Sequence, residues 1–531
     1  MPMPSSRTVP ALLAEQAARY PDHEALVAGP VRYTYATLRD EVRAFAKGLI
    51  ALGFGKGSRI AILMGNKPEW VVADLAICSI GGIMVAVNTW VTTRELHYIL
   101  KHSDADGLVV ADRFLKYDYV AMLAEMEPHA ESLPCLKTII HVGAAGPKGS
   151  IAFADVFARG RPVPDAALAS AEAAISPLDV TYLLYTSGST STPKGVQIQH
   201  FGLIENMWNI GERMHVTAED RLWLVVSLYW GLGCENALFN MLTHGACTVL
   251  QEHFDAGEAL AILESERCTL FYGTPNIAQA LDEHPDRPKY DLSRLRSGGS
   301  TGSPEQFQRL IKLGVTEICH IYGLTETYGN CTVSDGRLDP PEKRYASVGR
   351  PLPGVDLRIV DPETFAPRGV GEPGEVQMKG YVTIGYYKDE DKNRASFTPD
   401  GYFRTGDLGF LDADGFLFFR GRLKEMIKTG GINVAPAEVE EILMAEPAVK
   451  VAYVVGVPDA VRDEIIGAVV VAEPGAEITE AQLMDRCRRE LAAYKLPRAF
   501  RFVKEADLPL TTTGKVQKNR LAEFFQPAAA G

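Results

Sequence analysis

Two periods alternate through the first 140 residues of this chain, and that alternation limits its fold more than any other feature. "RIAILMGN" (59–66) is a β-rich run, "KPEWVVADLAICSIGG" (67–82) reads as a helix closed by glycines, and "IMVAVN" (83–88) is a second strand. "GLVVAD" (107–112) and "LKTIIHV" (136–142) continue the series. Near-continuous apolar strands separated by helices imply a mostly parallel sheet with helices on its faces. A polar, Ala/Pro-rich stretch near 144–178 leads into the buried strand "VTYLLYT" (180–186), and a second α/β set follows, with strands "CTVLQE" (247–252) and "CTLFYG" (268–273).

After about residue 340 the texture changes. Short Gly- and Pro-rich β runs ("SVGRPLPGVDLRIVD", "GEVQMKG", "GFLFFRGR") read as a small antiparallel unit. From Lys424 onward the pattern is α+β: a helix "PAEVEEILM", strands "VKVAYVVGVP" and "GAVVVAE", and a helix opened by a capping box at Thr479 and Gln482. With 531 residues the chain is too long for one core. The expected architecture is α/β. A large N-terminal domain (1–421) holds two parallel-sheet subdomains and a small β unit, 422–425 form a hinge, and 426–531 form a small mobile α+β domain.

A net charge of −13 argues against a nucleic-acid surface. The eight cysteines are scattered, none with zinc-ligand spacing, and read as small buried hydrophobes in a reducing compartment. The N-terminus reads as a short helix with no signal-peptide apolar core, and the longest uncharged apolar run, Leu222 to Cys234, is too short to span a bilayer. These features point to a cytoplasmic protein, monomeric or homodimeric, with no membrane span.

"YTSGSTSTPKGV" (185–196) packs hydroxyls and glycines around a single lysine. Such a loop can be a plain connection, or an anion cradle in which hydroxyls and glycine-exposed N–H groups donate to phosphate oxygens and the lysine adds a point charge. It is not a Walker A loop, because Lys194 is flanked by Pro193 and Gly195. No G-x-G-x-x-G follows a strand to open a helix, and kinase catalytic-loop motifs are missing. Four companions follow in order: "SGGST" (297–301), read as a tight turn; "IYGLTET" (321–327); "YFRTGDLG" (402–409); and "TTTGKVQK" (511–518), with "GRLKE" (421–425) before the last.

Taken together these motifs resemble the adenylate-forming superfamily of acyl-CoA synthetases, adenylation domains and luciferases, and the likeness covers essentially the whole chain. The family loop usually reads T-S-G-T/S-T-G-x-P-K-G. Here Thr186, Ser187, Gly188, Ser189, Thr190, Ser191, Thr192, Pro193, Lys194 and Gly195 stand in its place, with Ser191 where a glycine is usual. A serine costs more than glycine wherever φ is positive, which would stiffen the loop or alter its ATP affinity. The resemblance implies a two-step reaction. A carboxylate attacks the α-phosphate of ATP to give an acyl-adenylate and pyrophosphate, and a thiol, usually coenzyme A, then displaces AMP. No covalent protein nucleophile is needed, so catalysis falls to positioning and charge neutralisation.

The same resemblance assigns residues. Thr186 to Lys194 hold the β- and γ-phosphates, and Glu326, with Thr190, binds Mg²⁺. Thr325 donates to the α-phosphate, Tyr322 stacks on adenine with His320, Ile321 and Gly323 beside it, and the Gly298, Gly299, Ser300, Thr301 turn lines the base. Asp407 accepts from both ribose hydroxyls and Arg422 also contacts the ribose. Lys515 is the catalytic lysine, with Lys518 its nearest rival, and Lys424 is the hinge. Lys428, Gly430, Gly431 and Asn433 face the thiol tunnel. Tyr229, Trp230, Glu235, Gly298 and Gly299 line the acid pocket. Trp230 stands at or near a position where many relatives carry histidine, and points to an aromatic or arylalkanoic acid, with a medium- or long-chain fatty acid as the alternative. Glu235 is either a hydrogen-bond partner for a polar substituent or, the preferred reading, a surface carboxylate. Rival functions are a stand-alone adenylation enzyme loading a carrier protein, a nucleotide-binding relative without catalysis, and a luciferase-like oxygenase.

Overall fold

The computed structural model describes residues 2–186, 193–429, 432–459, 463–491, 495–510 and 516–526. It divides into two compact units. The first comprises Met1–Asp356, Met378–Phe403 and Gly415–Leu417; the second comprises Leu357–Gln377, Arg404–Asp414 and Phe418–Gly531.

The first unit is built on two sheets. In the seven-stranded sheet, Val180–Thr186 pairs parallel with Ile83–Ala86, followed by Arg59–Leu63, Gly107–Ala111, Thr138–Val142 and Ile151–Ala152, all parallel. Lys194–Gln199 closes one edge antiparallel to Val180–Thr186. In the nine-stranded sheet, Glu317–Tyr322, Ser297–Ser300, Leu270–Tyr272, Arg221–Leu224, Cys247–Leu250 and Glu24–Ala28 run parallel in that order. Antiparallel strands finish both of its edges.

One continuous apolar core joins side chains of both sheets. The helix Pro68–Ser79 is buried at every position from Trp70 onward, which is why its sequence is apolar on all sides instead of striped. The stretch near 144–178, read from sequence as polar connection, contains two helices, Phe153–Gly160 and Asp165–Ala173.

The second unit holds a four-stranded sheet, Asp356–Val360, Gly374–Lys379, Phe403–Leu411 and Leu417–Arg422, whose end residues run on into segments of the first unit. It also holds a five-stranded sheet in which Asp463–Ala472 pairs with Val449–Asp459, Ile427–Thr429 and Ala499–Phe502, with the helices Pro436–Met444 and Glu480–Glu490 contributing to its core. Both bonds of the Thr479–Gln482 capping box are present. Seven of the eight cysteines are buried, Cys135 is exposed, and none forms a disulfide. No described helix is long and apolar enough to cross a membrane.

Candidate active site

Thr186 ends the apolar strand Val180–Thr186 directly across from Lys194, the first residue of the returning strand. The cradle residues between them, Ser187, Gly188, Ser189, Thr190 and Ser191, lie outside the described residues. The flanks of that loop are fixed. Tyr98 Oη donates to the Pro193 carbonyl at 3.1 Å, and Tyr185 Oη lies 2.7 Å from His102 Nδ1. The segment 383–387 clamps the returning strand from its other side: Gln197 N–H donates to the Gly385 carbonyl, Tyr387 N–H to the Gly195 carbonyl, and Thr383 Oγ1 to the Gln197 carbonyl.

That clamp also organises Glu326. Tyr386 Oη donates to Glu326 Oε1 at 2.8 Å, and Thr383 N–H donates to the Glu326 carbonyl at 2.7 Å. The Tyr386 ring lies 6.0 Å from the Lys194 ammonium. Burial first, then the Glu326 carboxylate, push the Tyr386 phenol well above its ordinary range, so it stays a hydrogen-bond donor. Sequence reasoning missed Tyr386; its only signal is an aromatic pair after Gly385, 60 residues beyond Glu326.

Glu326 sits in the 3-10 turn Thr325–Thr327, closed by Tyr328 at φ +50. A left-handed tyrosine needs support, and it has it. Tyr328 is fully buried, its Oη accepts from Gln199 N–H at 3.0 Å, and its carbonyl accepts from Asn206 Nδ2 at 3.1 Å. Upstream, Glu317–Tyr322 carries His320, Ile321 and Tyr322 as buried strand residues, with Gly323 just beyond. The His320 ring packs on Phe307 at 4.8 Å, and burial lowers its pKa to about 4, leaving it neutral.

Residues 297–300 are a strand and not the expected turn. Gly298 has φ +145, and a Cβ there would stand 1.7 Å from the Phe271 carbonyl oxygen. The glycines therefore allow two strands to approach, a demand that in sequence looks the same as a turn. Gly299 and Ser300 are buried in that strand, and Thr301 is exposed at its end.

In the acid-pocket segment, Tyr229 and Trp230 meet at 5.5 Å, and Trp90 packs edge-on against both at 6.1 and 6.4 Å. Trp90 was not singled out from sequence. The surface reading of Glu235 is wrong: it has no exposed surface, and burial followed by the nearby Glu326 charge raises its pKa well above the carboxylate range.

In the second unit, Arg422 Nε lies 3.3 Å from Asp407 Oδ1, and Asp407 N–H donates to Thr405 Oγ1 at 3.0 Å. Lys424 is exposed in the 3-10 turn Leu423–Glu425. Lys428 N–H donates to Glu464 Oε2 at 2.7 Å, and Lys428 pairs in register with Asn433. Gly430, Gly431, the Asn433 side chain and Lys515 lie outside what is described. Among the described residues no cluster of three or more His, Cys, Asp or Glu is arranged to hold a metal.

Residues 13–387 match the family model described as AMP-binding enzyme, and 438–515 match the AMP-binding enzyme C-terminal domain. The Bacillus subtilis protein YngI is 36% identical over 97% of this chain and 96% of its own length. The mouse mitochondrial medium-chain acyl-CoA ligase ACSF2 is 34% identical over 98% of this chain and 88% of its own. The crystal structure of the anthranilate CoA ligase AuaEII in complex with anthranoyl-AMP superposes with a TM-score of 0.83 at 28% identity, covering 98% of both chains. The chain belongs to the AMP-binding enzymes of the adenylate-forming superfamily. It is an AMP-forming ligase, as its motifs implied.

Proposed function

We propose that this ligase joins an aromatic or arylalkanoic acid to coenzyme A through an acyl-adenylate. The observation that carries the acid class is the cluster of Trp90, Tyr229 and Trp230, whose rings meet edge-on at 70–83°. Edge-on aromatic walls receive a flat ring with favourable quadrupole contacts. Trp230 is only half-buried, so part of its indole is free to meet a substrate.

The family roles follow from that reading. Thr186 to Lys194 hold the β- and γ-phosphates, Thr325 donates to the α-phosphate, Tyr322 stacks on adenine, and Asp407 takes the ribose hydroxyls with Arg422 orienting it. A single carboxylate, Glu326, suits Mg²⁺, which takes one or two carboxylates and completes its shell with phosphate oxygens and water. Bound there, the ion would neutralise phosphate charge. Tyr386 holds the Glu326 carboxylate at one oxygen and leaves the other for that task. Residues 1–421 act as the adenylation domain, 422–425 as hinge and 426–531 as the mobile domain, with Lys428, Gly430, Gly431 and Asn433 at the thiol tunnel. Eight cysteines outside any disulfide fit a reducing, cytoplasmic setting.

The test is AMP release from a panel of carboxylic acids, with and without coenzyme A. Aryl and arylacetic acids should give higher kcat/KM than straight-chain acids of eight or more carbons, and Trp230→Ala should shift preference towards larger acids. The second reading, a medium-chain fatty acid, draws on the name of the mouse relative. A clear win for laurate or palmitate would end the aromatic assignment.

A further inference from the structure

Glu235 is fully buried, and neither of its carboxyl oxygens meets a hydrogen-bond partner among the described residues. Buried polar atoms are nearly always paired, because removing them from water without replacing the lost bonds is costly. A fully buried carboxyl with both oxygens unpaired indicates a place built for something that completes it.

The local backbone explains how the carboxyl arrives there. Leu232–Ala237 is a π-helical segment, and the N–H groups of Gly233 and Cys234 both donate to the Trp230 carbonyl, at 2.8 and 2.9 Å. Such widened turns are rare and concentrate at functional sites. This one turns Glu235 back towards the start of its own turn. Oε2 lies 2.3 Å from where a Cβ on Gly231 would stand, and Thr325 Oγ1 lies 3.7 Å from the same point. The carboxyl thus occupies space that only a glycine leaves, next to Trp230 and facing the turn that carries Thr325 and Glu326.

We propose that Glu235 is a specificity-determining residue, whose carboxyl accepts a hydrogen bond from an O–H or N–H substituent on the acid, so that the preferred substrate is a hydroxy- or amino-substituted acid. The assignment rests on the ligase reading above. A plain hydrocarbon acid would seal the site with the carboxyl still unpaired, whereas a donor substituent replaces the bond that burial took away. Sites built to receive a substrate hydroxyl or amine reject the analogue lacking it far more strongly than apolar pockets reject an extra methylene.

The experiment compares benzoate, phenylacetate and octanoate with their hydroxy- and amino-substituted partners, by AMP release in the presence of coenzyme A. In the wild-type enzyme at least one substituted acid should exceed its plain partner in kcat/KM by ~100-fold or more. Glu235→Leu should bring that ratio below ~10, and Glu235→Gln, which keeps an acceptor oxygen, should retain most of it. Gly231→Ala, which sets a methyl group against the carboxyl, should lower the same ratio. Because each result is a ratio within one protein, partial loss of fold does not imitate it. Wild-type ratios within ~3-fold of unity for every pair, or a ratio unchanged by Glu235→Leu, would overturn the assignment and leave the ligase standing. If no acid in any pair released AMP, the acid class proposed above would fall and this assignment with it.

Discussion

Tyr386 donates its phenolic hydrogen to Glu326 Oε1 at 2.8 Å while its ring lies 6.0 Å from the Lys194 ammonium. One aromatic residue therefore bonds one of the charged groups assigned to the phosphates and lies near the other, from a segment that is itself bonded to the strand bearing Lys194. Groups that orient a metal-binding carboxylate typically cost 10–100-fold in metal affinity or activity when removed.

Tyr386→Phe keeps the ring beside Lys194 and removes only the bond to Glu326. The Mg²⁺ concentration for half-maximal pyrophosphate release should rise about tenfold. Titrating Mg²⁺ at saturating ATP and acid reads this directly, and an unmoved midpoint would remove Tyr386 from the role.

Asp74 predicts a pH effect on stability. Burial raises its pKa from 3.8 to about 7, against the opposing hydrogen bonds from Tyr182 Oη (2.7 Å) and the Cys78 thiol. Between pH 4 and pH 7 the folded protein holds a proton here that the unfolded chain has released, so the stability contributed at low pH is lost as pH rises to about 7. Asp74→Asn keeps an acceptor for Tyr182 and carries no charge. Its gain in stability over wild type should be larger at pH 8 than at pH 5, by on the order of 1–3 kcal/mol. Thermal unfolding of both proteins at the two pH values checks it; an equal difference at both would show that Asp74 does not titrate in this range.

Elements with a strong period were legible. The parallel strands from Arg59 to Val142 stand where the apolar runs are, and the helix at Glu480 starts where its capping box says. The misreadings have physical causes. Ser297–Ser300 looks like a turn because glycine serves both turns and close strand approach, and only the Phe271 carbonyl beside Gly298 separates the two. "DAALASAEA" is a helix that a habit of reading Ala/Pro-rich stretches as linkers passes over, although alanine is the best helix former. Glu235 was assigned to the surface because carboxylates usually are; nothing local announces that a π-helical turn will fold it inward. Tyr386 and Trp90 depend on contacts between distant segments, which a motif search along the chain does not see.

Lys424 bears on the two-step reaction. It lies in the short 3-10 turn Leu423–Glu425, preceded by Arg422 in extended backbone at φ −105 and ψ 139. Proline fixes φ and resists the dihedral change that a hinge needs. Lys424→Pro should leave pyrophosphate release largely intact while slowing thioester formation. Parallel loss of both half-reactions would remove Lys424 as the pivot.

The catalytic lysine has two candidates in "GKVQK", and the structure bears on the choice by what it does with one of them. Lys518 Nζ is engaged by Glu440, at 2.8 and 3.1 Å to its two oxygens, and Glu440 in turn accepts from the Val454 N–H at 2.8 Å. Lys518 thus pins the start of a short helix to the core of its own unit, where a substitution should destabilise the fold. Lys515, in the Gly-Lys pair that resembles the family motif, remains the candidate for chemistry. When a carboxylate attacks the α-phosphate, two anions are brought together, and a cation there offsets several kcal/mol of repulsion in a water-poor site. Lys515→Ala should lower adenylation by at least ~100-fold, the order seen when one transition-state charge contact is lost. Thioester formation from presynthesised acyl-adenylate and coenzyme A should stay near wild type, because Lys515, carried on the mobile domain, would then be out of the site. Lys518→Ala should instead lower the Tm while sparing the ratio of the two half-reaction rates. Equal loss of both half-reactions in Lys515→Ala, or loss in neither, would take the catalytic role away from it.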